Sequence, residues 1–131
     1  MDLSNVEIMT TVTIPLVLTP GVSHADANLN IPFKPDFVLL KNVTVFAANI
    51  PTDKIWLLRS SLLDDARYLC SFNTSATTQQ NIDVMFLNKR EISGTYSFDF
   101  YGVAGSEAHT SNLYITLTFS FVRYKHKCLI N

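Results

Sequence analysis

Three histidines, two cysteines and a thin scatter of acids are the residues of this chain that could carry chemistry. A hydrolytic site would set a histidine beside an activated Ser or Cys, with a carboxylate to orient the ring. His24 lies in Ser23-His24-Ala25-Asp26 and His109 in Ser106-Glu107-Ala108-His109, so each has a hydroxyl and an acid close by in sequence. Both segments read as polar loops, where such neighbours arise from composition alone. No Gly-x-Ser-x-Gly turn, Gly-rich phosphate loop or His-Glu-x-x-His pair is present. Asp64-Asp65 is the close acid pair, and as sequence neighbours in a turn these two do not flank a cleft as glycoside chemistry requires. No run of alternating oxygen ligands spells a calcium loop. The expectation is a chain without catalytic residues that is not an enzyme.

Metal and redox chemistry have as little to work with. Cys70 and Cys128 stand far apart, and His126-Lys127-Cys128 offers two ligands where a structural zinc site takes four. Neither a metal nor a cofactor is expected. Cys70 reads as a buried strand thiol and Cys128 as a tail thiol; a disulfide between them would need the tail to return past that strand, in an oxidising compartment. Arg123-Tyr124-Lys125-His126-Lys127 is the one basic cluster. It is short for a nucleic-acid arm and reads as a lysine-guarded strand edge, or as a contact to an acidic neighbour subunit or a packaged genome.

The elements that would position any of these residues follow from composition and period. The 131 residues suffice for a single domain, 1–131, with one core. Charged residues make up 16%, against about 25% in ordinary soluble domains, and the net charge is −1, which argues against a nucleic-acid grip through bulk positive charge. Phe37-Val38-Leu39-Leu40 and Ile55-Trp56-Leu57-Leu58 are the longest apolar runs, far short of the roughly 20 residues of a membrane-spanning helix. Asp2, Glu7 and Pro15 spoil the N-terminus as a secretory signal, so the chain is expected to be made in a cytosol, with Asn42-Val43-Thr44 and Asn73-Thr74-Ser75 unglycosylated.

The period is two almost throughout. Leu113, Ile115, Leu117, Phe119 and Phe121 alternate with Tyr114, Thr116, Thr118 and Ser120; Tyr96, Phe98 and Phe100 alternate with Thr95, Ser97 and Asp99, between Gly94 and Gly102. Ile82, Val84 and Phe86 repeat the pattern. Val6 to Leu18 reads as a Thr-rich strand that Pro15 confines to an edge or a bulge. Phe37 to Ala47, Lys54 to Ser60 and Arg67 to Phe72 complete the set, with Gly21 to Asn30, Thr74 to Gln80 and Ala104 to Ser111 as polar connections and Ser60 to Tyr68 as the best candidate for a helical turn. The prediction is all-β: an antiparallel β-sandwich of jelly-roll or Greek-key topology, with seven or eight strands and at most one short helical turn.

In this texture the chain resembles viral structural proteins of the single jelly-roll kind: minor capsid or penton proteins and the heads of spikes or fibres. The resemblance is carried by Thr- and Asn-rich strands such as Gly94-Thr95-Tyr96-Ser97-Phe98-Asp99-Phe100-Tyr101 and Leu113-Tyr114-Ile115-Thr116-Leu117-Thr118-Phe119-Ser120-Phe121, with few charges and no catalytic set. It implies a virion component assembled in the host cytoplasm or nucleus beside other structural subunits. The start Met1-Asp2-Leu3-Ser4 lacks a basic arm, which argues against direct genome binding.

The residues support the same direction independently. A sandwich turns one face of each strand to its core, yet the two apolar runs offer side chains on both faces, and something must cover the remainder. A homo-oligomer, trimer or pentamer, is expected, with Phe37, Leu39, Trp56 and Leu58 at the contact, or else their alternating neighbours Val38, Leu40, Ile55 and Leu57. The alternative is a lectin-like module for a glycan or receptor, with Tyr101, Tyr114 or Trp56 as a stacking platform.

Overall fold

The computed structural model describes residues 5–46, 54–62, 68–74, 77–88, 90–102 and 111–125, of which 54–56, 68–74, 77–84 and 102 are described in backbone alone. Eight strands follow one another: β1 (Val6–Leu18), β2 (His24–Asn30), β3 (Phe37–Phe46), β4 (Lys54–Ser60), β5 (Tyr68–Thr74), β6 (Thr77–Leu87), β7 (Ser93–Gly102) and β8 (Leu113–Tyr124). They form two four-stranded antiparallel sheets, ordered β1-β8-β3-β6 and β2-β7-β4-β5. The pair β4–β5 is innermost in sequence, and β3–β6, β2–β7 and β1–β8 nest around it in turn. That nesting, divided between two sheets, is a jelly roll.

Alternation explains which side chains enclose the core. Ile14, Leu16 and Leu18 of β1, Val38, Leu40, Val43 and Val45 of β3, and the odd-numbered residues from Leu113 to Phe121 of β8 point inward from the first sheet. Leu29, Leu58, Tyr96, Phe98 and Phe100 meet them from the second. Phe98 reaches Phe119 across the interior, ring centroids 6.4 Å apart, and Phe119 in turn stacks on Phe121. The buried Ser60 hydroxyl is satisfied at both ends, donating to the Ser97 carbonyl and accepting from the Leu62 amide.

Local chemistry fixes the connections. Between β1 and β2, Pro20 and Gly21 occupy the central positions of a turn closed by the Val22 amide on the Thr19 carbonyl at 2.9 Å; Gly21 at φ 78° supplies the positive angle that a type II turn demands. Asp36 holds the start of β3, its amide on the Val122 carbonyl and its carboxylate accepting from the Tyr124 amide. Arg90 donates to the carbonyls of Ser61 and Leu62, tying the β6–β7 connection to the end of β4.

The structure departs from the sequence expectations in three places. His24 to Asn30 is strand β2 rather than part of a polar connection: Ala25, Ala27 and Leu29 form its inward alternation, and two alanines are too small to announce a buried face. Most of the expected connection from Thr74 to Gln80 is likewise strand, ending β5 at Thr74 and opening β6 at Thr77, where residues 77–80 pair with Val43 to Phe46 of β3 and the ladder, not an apolar pattern, sets the conformation. Leu58, expected at a subunit contact, is 0% exposed and belongs to the core. Pro15 lies on β1, an edge strand, as its missing amide hydrogen requires. Ser61 and Leu62 turn after β4, whereas residues 63–67 of the possible helical turn and 103–110 of the last connection lie outside the described residues.

Candidate functional site

The two sheets present contrasting outer faces. Residues paired across neighbouring strands share a face, so register assembles the outside of the β1-β8-β3-β6 sheet row by row. The first row is Met9, Val122, Phe37 and Leu87, and the second Thr11, Ser120, Leu39 and Met85. Thr13, Thr118, Asn42 and Asn81 form the third; Pro15, Thr116, Thr44 and Gln79 the fourth; Val17, Tyr114, Phe46 and Thr77 the fifth. None of these paired positions is charged. Lys41 and Asp83 fall in the register shift of β3 and β6, between the second and third rows.

The exposed large apolar side chains concentrate on this face. Met9, Val17, Phe46, Met85, Leu87 and Tyr114 are 45–57% exposed, and among the described residues only Val22, in the β1–β2 turn, joins them from elsewhere. Phe37 packs edge-on against Tyr124 at 5.1 Å, Phe46 tilts against Tyr114 at 6.3 Å, and Thr11 hydrogen bonds Ser120 at 2.9 Å. The rim rows are therefore apolar and the middle rows carry hydroxyls and amides.

The outer face of the β2-β7-β4-β5 sheet carries a cluster of charges around His24. His24 Nδ1 lies 2.7 Å from Asp99 Oδ1 on β7, and its Nε2 lies 2.9 Å from Asp26 Oδ1 on its own strand. The hydrogen bond to Asp99 raises the His24 pKa above its ordinary 6.5, with partial burial opposing and the nearby Asp26 and Asp99 charges adding. With a carboxylate on each ring nitrogen, the imidazole has no free nitrogen with which to activate a nucleophile. The two acids approach opposite sides of the ring, so the three do not converge on a metal position. Among the described residues no group of three or more His, Cys, Asp or Glu is arranged to hold a metal ion, and no helix is long and apolar enough to cross a membrane.

The sequence-predicted residues divide between these surfaces and the core. Phe37 and Leu39 stand on the outer face of the β1-β8-β3-β6 sheet, Leu39 largely covered by its neighbours. Trp56 pairs with Phe72 and Gly102 in the backbone, and its side chain lies outside the described residues. Of the alternating set, Val38 and Leu40 are core, and Leu57 is half-buried. Tyr101 and Tyr114 are on opposite sheets and do not form one platform. Tyr101 is also occupied, since the Arg59 guanidinium lies over its ring at 4.9 Å and donates to its hydroxyl. His109, His126 and Cys128 lie outside the described residues. Met9, Val17, Phe46, Met85 and Leu87 were not singled out by sequence. Their signal was an apolar residue at an outward strand position, which becomes readable only once the partner strands are known.

No family model matches the chain, and no curated protein does. Solved structures resemble it in fold. The core of Drosophila NLP, a structure described for pentamer formation and histone binding, is 11% identical, covering 88% of this chain and 100% of that chain with a TM-score of 0.47. The VP2 subviral particle of infectious bursal disease virus is 8% identical over 92% of this chain and 34% of that one, with a TM-score of 0.47. The Gx strain of the same virus gives 6% identity over 89% and 32%, at 0.49. This chain spans about a third of the length of those viral chains. The likeness to viral capsid jelly rolls is one of fold alone.

Proposed function

We propose that the protein is a non-enzymatic structural subunit that assembles with copies of itself, as a capsid, vertex or spike component of a virion built in the host cytoplasm or nucleus. The observation that carries this reading is the charge-poor outer face of the β1-β8-β3-β6 sheet, with its exposed Met9, Val17, Phe46, Met85, Leu87 and Tyr114. The side chains exposed at its two ends are apolar, and apolar surface removed from water contributes about 25 cal/mol per Å². The low charge of the whole chain and its Thr- and Asn-rich strands agree with a surface made for permanent contact rather than free solution. A glycan-binding module has less behind it, because Tyr101 and Tyr114 cannot act together and Tyr101 is covered by Arg59.

The test is the mass of the native protein at micromolar concentration by light scattering. A homo-oligomer is expected. A monomer with no partner present would overturn the reading, and a defined turnover lost on His24→Ala would overturn its non-enzymatic part.

A further inference from the structure

We propose that the outer face of the β1-β8-β3-β6 sheet packs on the same face of a second copy, about a two-fold axis. The proposal rests on the assembly reading above and specifies its contact. Four strands about 4.8 Å apart and five rows about 6.8 Å apart span a patch of roughly 19 by 34 Å, or about 650 Å² on each partner. Two such faces have a combined footprint of about 1,300 Å², with Val122, Ser120 and Leu39 already covered within the subunit, beside the roughly 1,200–2,000 Å² that stable specific interfaces bury.

Its chemistry selects a copy of itself as the occupant. On a two-fold contact, groups near the axis meet their own counterparts, which suits side chains that both donate and accept hydrogen bonds and penalises an isolated charge. The central row, Thr13, Thr118, Asn42 and Asn81, is of the tolerant kind. Apolar rows stand at both ends of the face. A two-fold lying in the plane of the contact, whether along the strands or across them, therefore sets apolar end against apolar end and the Thr and Asn row against itself. Lys41 and Asp83 fall on neighbouring strands with opposite sign, and Glu7 is paired with Arg123 at 3.1 Å at the β1–β8 end, so the face carries no net charge. The chain's other broad face is a poor partner: seating Leu87 and Phe46 against His24, Asp26, Asp99 and Arg59 would strip water from charges and return no counter-charge.

Trimers and pentamers, the orders expected from sequence, close through contacts between two different patches. A two-fold face is a separate contact, joining two subunits or two rings. Sedimentation equilibrium of the full chain should thus give an even multiple of 14.7 kDa. Leu87→Asp with Phe46→Asp should halve that mass while the far-UV spectrum stays that of the parent, and Thr13→Arg, on an exposed edge position, should do the same should the double variant misfold. Asn28→Asp, on the outer face of the other sheet, should leave the mass unchanged. A native trimer or pentamer would overturn the two-fold contact and leave the assembly reading standing; a monomer would remove both. Retention of the parent mass by folded face variants, or its loss on Asn28→Asp alone, would also overturn the two-fold face.

Discussion

His24 shows how one residue can look catalytic in sequence and serve a different purpose in the fold. It joins β2, an edge strand, to β7 through Asp99, and its second nitrogen is taken by Asp26. Arg59 stands opposite Asp99 in register from β4, with its guanidinium over Tyr101. The bonded His24 has its pKa raised above 6.5, which means that the folded state holds the proton more tightly than the unfolded chain. The contribution to stability is then complete below about pH 6.5 and is lost as pH rises through the raised folded-state value. The melting-temperature difference between the parent and His24→Ala should accordingly be largest at the acidic side and shrink with rising pH. A difference that grew with pH would mean that the ring works as a neutral acceptor instead. In the core the expectation is plainer: Phe119→Ala removes a ring with no exposure that touches Phe98 and Phe121, and should cost about 3–5 kcal/mol in a denaturant titration.

At the level of elements, β7 opens with Gly94 at φ 118°, paired with Leu29 of β2. A Cβ at Gly94 would meet nothing within 4 Å, so any loss on Gly94→Ala comes from the backbone angle and not from a clash. Chemical denaturation should show a loss of about 1–3 kcal/mol; an unchanged midpoint would show that the strand relaxes to a negative φ freely. The strands legible in sequence were those whose inward residues are large, as β8 and β7 are with their Leu and Phe alternation. β2 escaped because alanine marks a buried face poorly, and the start of β6 because Thr77 to Gln80 carries no apolar signal at all. The jelly-roll pairing of β1 with β8 and of β3 with β6 joins segments far apart in the chain, and no local pattern encodes which distant strand lies alongside. For the same reason the apolar surplus of Phe37 to Leu40 could be noticed in sequence, whereas its continuation through Met9, Met85 and Leu87 could not.

Across the whole molecule, the sandwich divides its chemistry between its two outer faces, one neutral and apolar at its ends, the other holding His24, Asp26, Asp99 and Arg59. This division makes the response of assembly to salt diagnostic of the face used. Exposed charges more than a Debye length apart are largely screened in ordinary buffers, and that length falls from about 10 Å at 0.1 M to about 3 Å at 1 M ionic strength. A contact made through the charged face would draw on such interactions and weaken over that range. A contact through the β1-β8-β3-β6 face gains its free energy mainly from apolar surface removed from water, and the Glu7–Arg123 ion pair at its β1–β8 end is already closed within the subunit at 3.1 Å. The dissociation constant measured by sedimentation should therefore change little, or tighten, as sodium chloride is raised between those two concentrations, whereas a tenfold or greater weakening would assign the contact to the charged sheet.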